Sequence, residues 1–370
     1  MSISTSALAV GVDDIVDALV ATVPQPPEDK TSVIVEGEMG IGKSSILKEL
    51  AKKLPEHIPI YFDCTTKADA GDVMMPKFKD LDGQDYVSFA TNEELGMHLK
   101  DQKLIIMIDE VGKNKSIQNP MNRLFQERMV GMNTLHPESI VFGTTNLGFE
   151  GVGDSFLAHS CNRVTFVRMR KPTAMEWIEW GIGDGDIDHT MLAWAKDNPQ
   201  IMAASDSVEN PDDNEYIYHP RATGRRSFFT PRSGHKASNW LKLRDQMSDS
   251  ALRALLVGTI GVRGGNDLYA YLKVADDLPS LESIKKDPKN AKIPTKAAAI
   301  CMVVYRTLAG IEADWLNAWM EYLNRLDPEA QGMFANGIRS PKYPKQSMVM
   351  QNRKFTEWAA KNNYMFSADQ

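Results

Sequence analysis

The chain is 370 residues long, more than twice the roughly 150 expected of one domain, so two or three domains with separate cores are expected. Apolar residues make up 42% and charged residues 25%, the balance of an ordinary globular protein and not of a disordered or membrane-embedded one. With 42 basic and 49 acidic side chains the formal charge is −7, which argues against a surface that binds nucleic acid everywhere, while leaving room for a local basic stripe or pore.

At the N-terminus no basic stretch precedes the apolar residues, and Asp13, Asp14 and Asp17 interrupt them, so no signal peptide is expected; no run approaches the ~20 apolar residues of a membrane span. Nothing in the sequence addresses the chain out of the cytoplasm. Val12, Ile15, Val16, Leu19 and Val20 recur at helical spacing and predict a first helix over 12–20, ended by the proline-rich VPQPPEDKT. Ser32 to Val35 is a short β-branched run. It is followed by the glycine-rich GEMGIGKSS and by a helical face of Ile46, Leu47, Leu50 and Leu54. Ile58 to Phe62, Leu104 to Ile108 and Ser139 to Thr144 read as three further strands with helical stretches between them. Strands alternating with helices predict an α/β fold, a parallel sheet covered on both faces.

After about residue 172 the pattern turns helical: MEWIEWGI, HTMLAWAKD and HKASNWLKLRDQM have helical rhythm, and no strand series continues. This predicts an α-helical lid. Ala204 to Asp213, acidic and proline-containing, and Tyr216 to Ser227, basic and irregular, are expected as long surface loops. Trp315, Trp319 and Leu323 lie four residues apart in a helical block over 295–326, which predicts a C-terminal helical extension. The expected division is a nucleotide-binding domain over 1–172, a lid over 173–275 and an extension over 276–370.

The chemistry is concentrated early. Gly37, Glu38, Met39, Gly40, Ile41, Gly42, Lys43 and Ser44 match G-x-x-x-x-G-K-[ST] between an apolar strand and an amphipathic helix, the setting that a P-loop requires. There the glycines let backbone N–H groups, through Ser45, curl around phosphates, and the new helix's N-terminus offers its positive dipole end. Lys43 reaches the β and γ oxygens, and Ser44 ligates Mg²⁺. The P-loop reading thus calls for ATP and Mg²⁺. The bland alternative is a glycine-rich turn with an exposed lysine.

Sixty-odd residues on, LIIMI runs into Asp109 and Glu110, a Walker B pattern. Ligands of open α/β sheets sit at the carboxyl ends of strands, so both acids should emerge where the P-loop lies. Asp109 would hold Mg²⁺ through water and Glu110 would act as general base on the attacking water. Acids also commonly solubilise strand ends, so the pair counts because it accompanies the P-loop. The fourth strand ends in Gly143-Thr144-Thr145-Asn146, which puts Asn146 where it could bond the water or the γ-phosphate, or merely open a turn before Leu147.

The order P-loop, IIMIDE, NPMNRLFQERMVG, FGTTN and FLAHSCNRVTFVRM resembles the AAA+ ATPase superfamily, most closely its MoxR and dynein-related branch, over roughly residues 12–170. The resemblance implies that Asn146 is the sensor-1 residue and that Arg163, before the strand VTFV, is an arginine finger donated to a neighbouring subunit, with Arg128 as the next candidate. A guanidinium beside developing phosphoryl charge stabilises the transition state strongly. The segment Thr230-Pro231-Arg232-Ser233-Gly234 resembles the sensor-2 element, with Arg232 reaching nucleotide; Arg225 and Arg226 compete for that part. Asp72, Val73 and the run Tyr86 to Phe89 fall where the family places substrate-facing loops, so the aromatic pair Tyr86 and Phe89 could grip a polypeptide. The resemblance further implies a ring, a hexamer in the family's usual form. Its client would be a protein, often one with a von Willebrand factor A domain, and DNA is the alternative substrate, kept open by Arg221, Arg225 and Arg226.

Other chemistry is not expected. Cys64, Cys161 and Cys301 are far apart with no C-x-x-C pair, which predicts neither disulfides nor zinc. The seven histidines show no metal spacing. No G-x-S-x-G occurs, and the tryptophan pairs Trp177/Trp180 and Trp315/Trp319 read as helix packing.

Overall fold

A computed structural model describes residues 8–147, 161–222, 224–274 and 278–366 and divides into two units, 1–171 and 172–370. The first unit is organised by the five apolar runs. β1 (Val33–Glu36), β2 (Ile58–Asp63), β5 (Leu104–Asp109), β8 (Ile140–Thr145) and β9 (Thr165–Arg168) form one sheet in the order β2-β5-β8-β1-β9. All four pairings are parallel. The period-2 rule then sorts the three central strands, β1, β5 and β8, into two cores. Ile34, Leu104, Ile106, Ile108 and Val141 face Ile117, Met121, Leu124 and Phe125 of α3 (Lys115–Glu127). Val33, Val35, Ile105, Met107, Ile140 and Phe142 face Ile15, Val16 and Leu19 of α1 (Val12–Val20) and Ile46 and Leu50 of α2 (Ser45–Lys53). Burial on both faces explains why the three central strands read as continuous apolar runs and not as alternating ones. This is the three-layered P-loop NTPase fold.

Between β2 and β5 the expected helical stretch is absent. Residues 74–91 form an antiparallel hairpin, β3 (Met74–Leu81) and β4 (Gln84–Thr91), turning at Asp82-Gly83 with φ of 55° and 79°. An Asp-Gly pair with both residues at positive φ is the turn that suits the twist of two-residue hairpins, and it stood in the sequence as a readable signal. Likewise the end of NPMNRLFQERMVG is not helical: after α3, Arg128 adopts φ 57° and a small hairpin follows, β6 (Met129–Val130) with β7 (Asn133–Thr134). Of FLAHSCNRVTFVRM, residues 156–160 lie outside the described residues, as does Gly148.

The second unit is helical. Its elements are α4 (Ala174–Ile182), α5 (His189–Asp197), α6 (Pro231–Lys242), α7 (Asp249–Val274), α8 (Leu281–Lys286), α9 (Ala297–Gly310), α10 (Leu316–Leu323), α11 (Pro328–Arg339), α12 (Gln346–Met350) and α13 (Arg353–Lys361). One apolar core runs from Ala174 to Trp358 and contains Trp177, Trp194, Trp315, Trp319 and Phe334. Trp315, Trp319 and Leu323 are buried as their spacing predicts, but the block 295–326 is two helices, because α9 ends at Gly310 and α10 begins at Leu316. The described residues of 216–227 are irregular yet not wholly superficial. Tyr216 and Ile217 are buried, Ile217 bridges Phe229, and Arg225 donates to the carbonyls of Pro211, Asn214 and Ile217 at 2.6–3.1 Å.

The longest helix, α7, is in fact two helical arms doubled back at Gly261, with Arg253 Nε donating to Asn266 (2.8 Å) and Lys273 pairing with Asp249 (2.6 Å) across the fold. Gly265 makes this approach possible: a Cβ there would lie 2.4 Å from Val257 N, whereas a Cβ at Gly258 on the opposite arm would meet nothing within 4 Å. Gly265→Ala should therefore lower stability by about 1–3 kcal/mol through overpacking. Gly258→Ala should raise it by up to ~1 kcal/mol through helix propensity. Thermal unfolding of both variants checks the packing, and equal midpoints would refute it.

Candidate nucleotide site

Because β1, β8 and β5 are adjacent and parallel, three sequence motifs leave the sheet side by side at its carboxyl end. β1 delivers Gly37, whose N–H donates to Thr145 O (3.2 Å); β8 delivers Thr144 to Asn146; β5 delivers Asp109 and Glu110. The loop from Gly37 to Ser44 then curls into α2. Gly40 and Gly42 hold φ of 72° and 101°, a region that L side chains rarely adopt, and a Cβ at Gly37 would lie 2.6 Å from Ile41 Cδ1. Ser45 anchors the first turn by donating Oγ–H to Gly42 O (2.7 Å), and Ser44 is exposed at the N-terminal end of the helix. Backbone N–H groups at this helix start are what an anionic oxygen needs.

Lys43 is buried, 7% exposed, and its ammonium donates to Gly37 O (2.7 Å), Glu38 O (3.0 Å) and Asn146 Oδ1 (2.7 Å). Asn146 in turn donates Nδ2–H to Glu110 Oε1 at 2.6 Å. Asp109 accepts from Tyr61 O–H (2.7 Å) and from the Thr144 hydroxyl. Residues 43, 109, 110 and 146, scattered along the sequence, are thus joined in a patch a few hydrogen bonds wide. Glu110 has φ 54°, which turns the chain sharply off β5. Behind the loop, the buried Glu38 pairs with the buried Lys171 at 2.8 Å, tying the P-loop to the last residue of the first unit. Beneath the acids, burial pushes the Cys64 thiol up to about 12, with the charges of Asp63, Asp109 and Glu110 acting in the same direction.

Other predicted residues are placed differently. Arg128 is 4% exposed and donates to Ser32 Oγ, Phe125 O (2.5 Å), Thr31 O (3.0 Å) and Lys30 O (3.3 Å). It is a structural tie at the end of α3 and not a finger candidate; burial pulls its pKa down to about 10. Arg163 is exposed, two residues before β9. Since Val33 pairs with Thr165 and Glu36 with Arg168, Arg163 lies at the amino end of the sheet, roughly 13 Å of strand from the P-loop end. Arg232 stands in the first turn of α6, after Thr230 caps it by accepting from Ser233 N (3.0 Å). Arg225 is consumed by its three carbonyl contacts. Asp72 accepts from the N–H of Ala68 and Asp69, and Val73 is buried, so both are structural.

Tyr86 and Phe89 are exposed but lie on opposite faces of the hairpin. Phe78, Val87 and Phe89 share one face, through the pairs Phe78↔Val87 and Pro76↔Phe89; Tyr86 shares the other with Lys77 and Lys79. Phe78, at 75% exposed, is the residue that sequence reasoning missed, and the alternation in MPKFKDL would have revealed it.

No family model and no curated protein matches the chain. Among solved structures, the Holliday junction branch migration motor RuvB of Thermotoga maritima is similar, with 14% identity over 74% of each chain and a TM-score of 0.35. A point mutant of that RuvB gives 13% identity over 77% of this chain and 76% of that one, with a TM-score of 0.39. A Cytophaga hutchinsonii protein described as a candidate ATPase gives 16% over 45% and 48%, with a TM-score of 0.29. Likenesses of this strength carry no argument about activity. The site carries it.

Proposed function

We propose that this chain is an ATP hydrolase of the AAA+ type, related to the MoxR and dynein-like branch, that couples its nucleotide cycle to remodelling or activation of a protein partner. The observation that supports it most is the Lys43–Asn146–Glu110 chain of hydrogen bonds, which unites a P-loop lysine, a polar strand end and a Walker B acid beside Asp109. In this reading Lys43 exchanges the carbonyls of Gly37 and Glu38 for the β and γ oxygens of ATP, while the loop between Gly37 and Ser45 offers its N–H groups. Glu110 accepts the proton of the attacking water, and Asn146 orients that water or the γ-phosphate.

The donor set fits Mg²⁺. Ser44 offers an exposed hydroxyl at the helix start, and Asp109 uses its carboxylate to accept from Tyr61 and Thr144, so it is held as an oxygen donor suited to outer-sphere contact. When bound, Mg²⁺ would neutralise charge on the phosphate oxygens. Arg163, remote from its own P-loop, would serve the site of a neighbour in a ring, most simply a hexamer. Arg232 would be the sensor-2 residue of a lid over 173–275, with 276–370 as an extension that shares its apolar core. The client would meet the β3–β4 hairpin through the apolar face of Phe78, Val87 and Phe89. A von Willebrand factor A domain is the partner type that the resemblance implies.

A second reading, a DNA-acting motor, is favoured by the opposite hairpin face, where Lys77 and Lys79 flank Tyr86. Among the described residues no helix is long and apolar enough to cross a membrane. Release of phosphate from ATP with Mg²⁺, measured from nanomolar to micromolar protein with and without duplex DNA, tests the proposal. The rate per subunit should rise with concentration as rings form, and Arg163→Ala should remove that rise. A flat profile would eliminate the trans finger, and salt-sensitive stimulation by DNA would favour the second reading.

A further inference from the structure

The second unit holds a cavity of about 280 Å³ whose lining differs from the apolar core around it. Two guanidiniums border it: Arg244, from the turn after α6, and Arg306, from α9. Most other charges there are already matched. Asp188 accepts from Arg244 (3.0 Å) and from Thr190 N (2.8 Å), with His189 Nδ1 at 3.7 Å. Lys273 pairs with Asp249 (2.6 Å), and Asp245 is exposed at the surface. Arg306 is half-buried, and among the described residues none forms a hydrogen bond or ion pair with it. Burial, and next the like charge of Arg244, pull its pKa down, while the Asp188 carboxylate acts on it in the opposite direction. Three leucines, Leu252, Leu272 and Leu278, complete the wall.

A partly desolvated guanidinium beside a second one is electrostatically costly; Asp188, bonded to Arg244, offsets part of that cost but forms no hydrogen bond or ion pair with Arg306, whose donors are left for a further anion. The planar donor fork of arginine matches phosphate oxygens two at a time. A volume at the small end of ligand pockets, with apolar wall beside the cations, suits a compact molecule that carries one phosphate on a short carbon skeleton. We infer that this cavity is a second anion site that binds a small phosphomonoester, its phosphate held by Arg306 and Arg244 and its carbon part against Leu252, Leu272 and Leu278. The inference is independent of the nucleotide reading, because all of these residues lie in the second unit.

Calorimetric titration of phenyl phosphate and inorganic phosphate into the full-length Lys43→Ala protein at fixed ionic strength tests it, since the P-loop's own phosphate binding is then crippled. Phenyl phosphate should bind more tightly than inorganic phosphate. Arg306→Gln should weaken both at least tenfold, Arg306→Lys should weaken them less, and Leu278→Ala should weaken phenyl phosphate alone. With Lys43 intact, Arg306→Gln should leave ATP affinity unchanged, so failure at one site is separable from failure at the other. No binding up to millimolar phenyl phosphate, or equal affinity in Arg306→Gln, overturns the proposal. If Arg306→Gln does not fold, Arg306→Lys and Leu278→Ala decide in the same way.

Discussion

Glu110→Gln should bind ATP with near-normal affinity and turn it over about 10²–10⁴-fold more slowly, the range that a general base contributes. The substitution is nearly isosteric and keeps an oxygen that can accept from Asn146 Nδ2, so the 2.6 Å contact and the sharp turn at φ 54° are not disturbed. What is lost is a carboxylate able to take a proton. Single-turnover hydrolysis measured alongside equilibrium binding of a fluorescent ATP analogue separates the two steps. Wild-type turnover by the variant would dismiss Glu110 from its role, and loss of binding would mean that its role is structural.

The second large effect is expected at Lys43. Removing the ammonium deletes charge-assisted contacts worth roughly 1.5–3 kcal/mol each, so Lys43→Ala should weaken ATP binding by at least about a hundredfold. The structure adds a further expectation. Lys43 is only 7% exposed and satisfies the carbonyls of Gly37 and Glu38 and the amide oxygen of Asn146, so the alanine variant should also lose about 1–3 kcal/mol of stability in the absence of nucleotide. An unchanged dissociation constant for ATP, in a variant shown to be folded, would defeat the assignment of the loop.

The first unit was legible where local and global requirements agree. The run IIMI, buried on both sheet faces, could only be a central strand, and a glycine-rich loop between strand and helix leaves few alternatives for residues 37–45. Legibility failed where tertiary contacts decide. Nothing in the pattern around Arg128 distinguishes a guanidinium that reaches another molecule from one that gathers the carbonyls of Lys30, Thr31 and Phe125, because those partners are distant in sequence or hidden in a helix end. The hairpin over 74–91 was overlooked although its turn was written as Asp82-Gly83, since Tyr86 and Val87, adjacent and on opposite faces of β4, break the alternation that β3 shows. The doubled helix over 249–274 was obscured by Gly258, Gly261, Gly264 and Gly265, glycines that weaken a helical pattern while Gly265 permits the two arms to touch. Arg306 gave no signal at all, as one arginine in an apolar helix reads like any other.

The parallel pairing of β1 with β9 has an architectural consequence. It places the phosphate loop beyond one terminus of the first strand and Arg163 before the opposite terminus of its neighbour. On the proposed trans role of Arg163, a subunit built this way would have an acceptor pole and a donor pole, and copies arranged head to tail would each be served from behind while serving ahead. Such a chain of copies would have a sense of circulation, and one copy deprived of its donor would silence the neighbour on a single side.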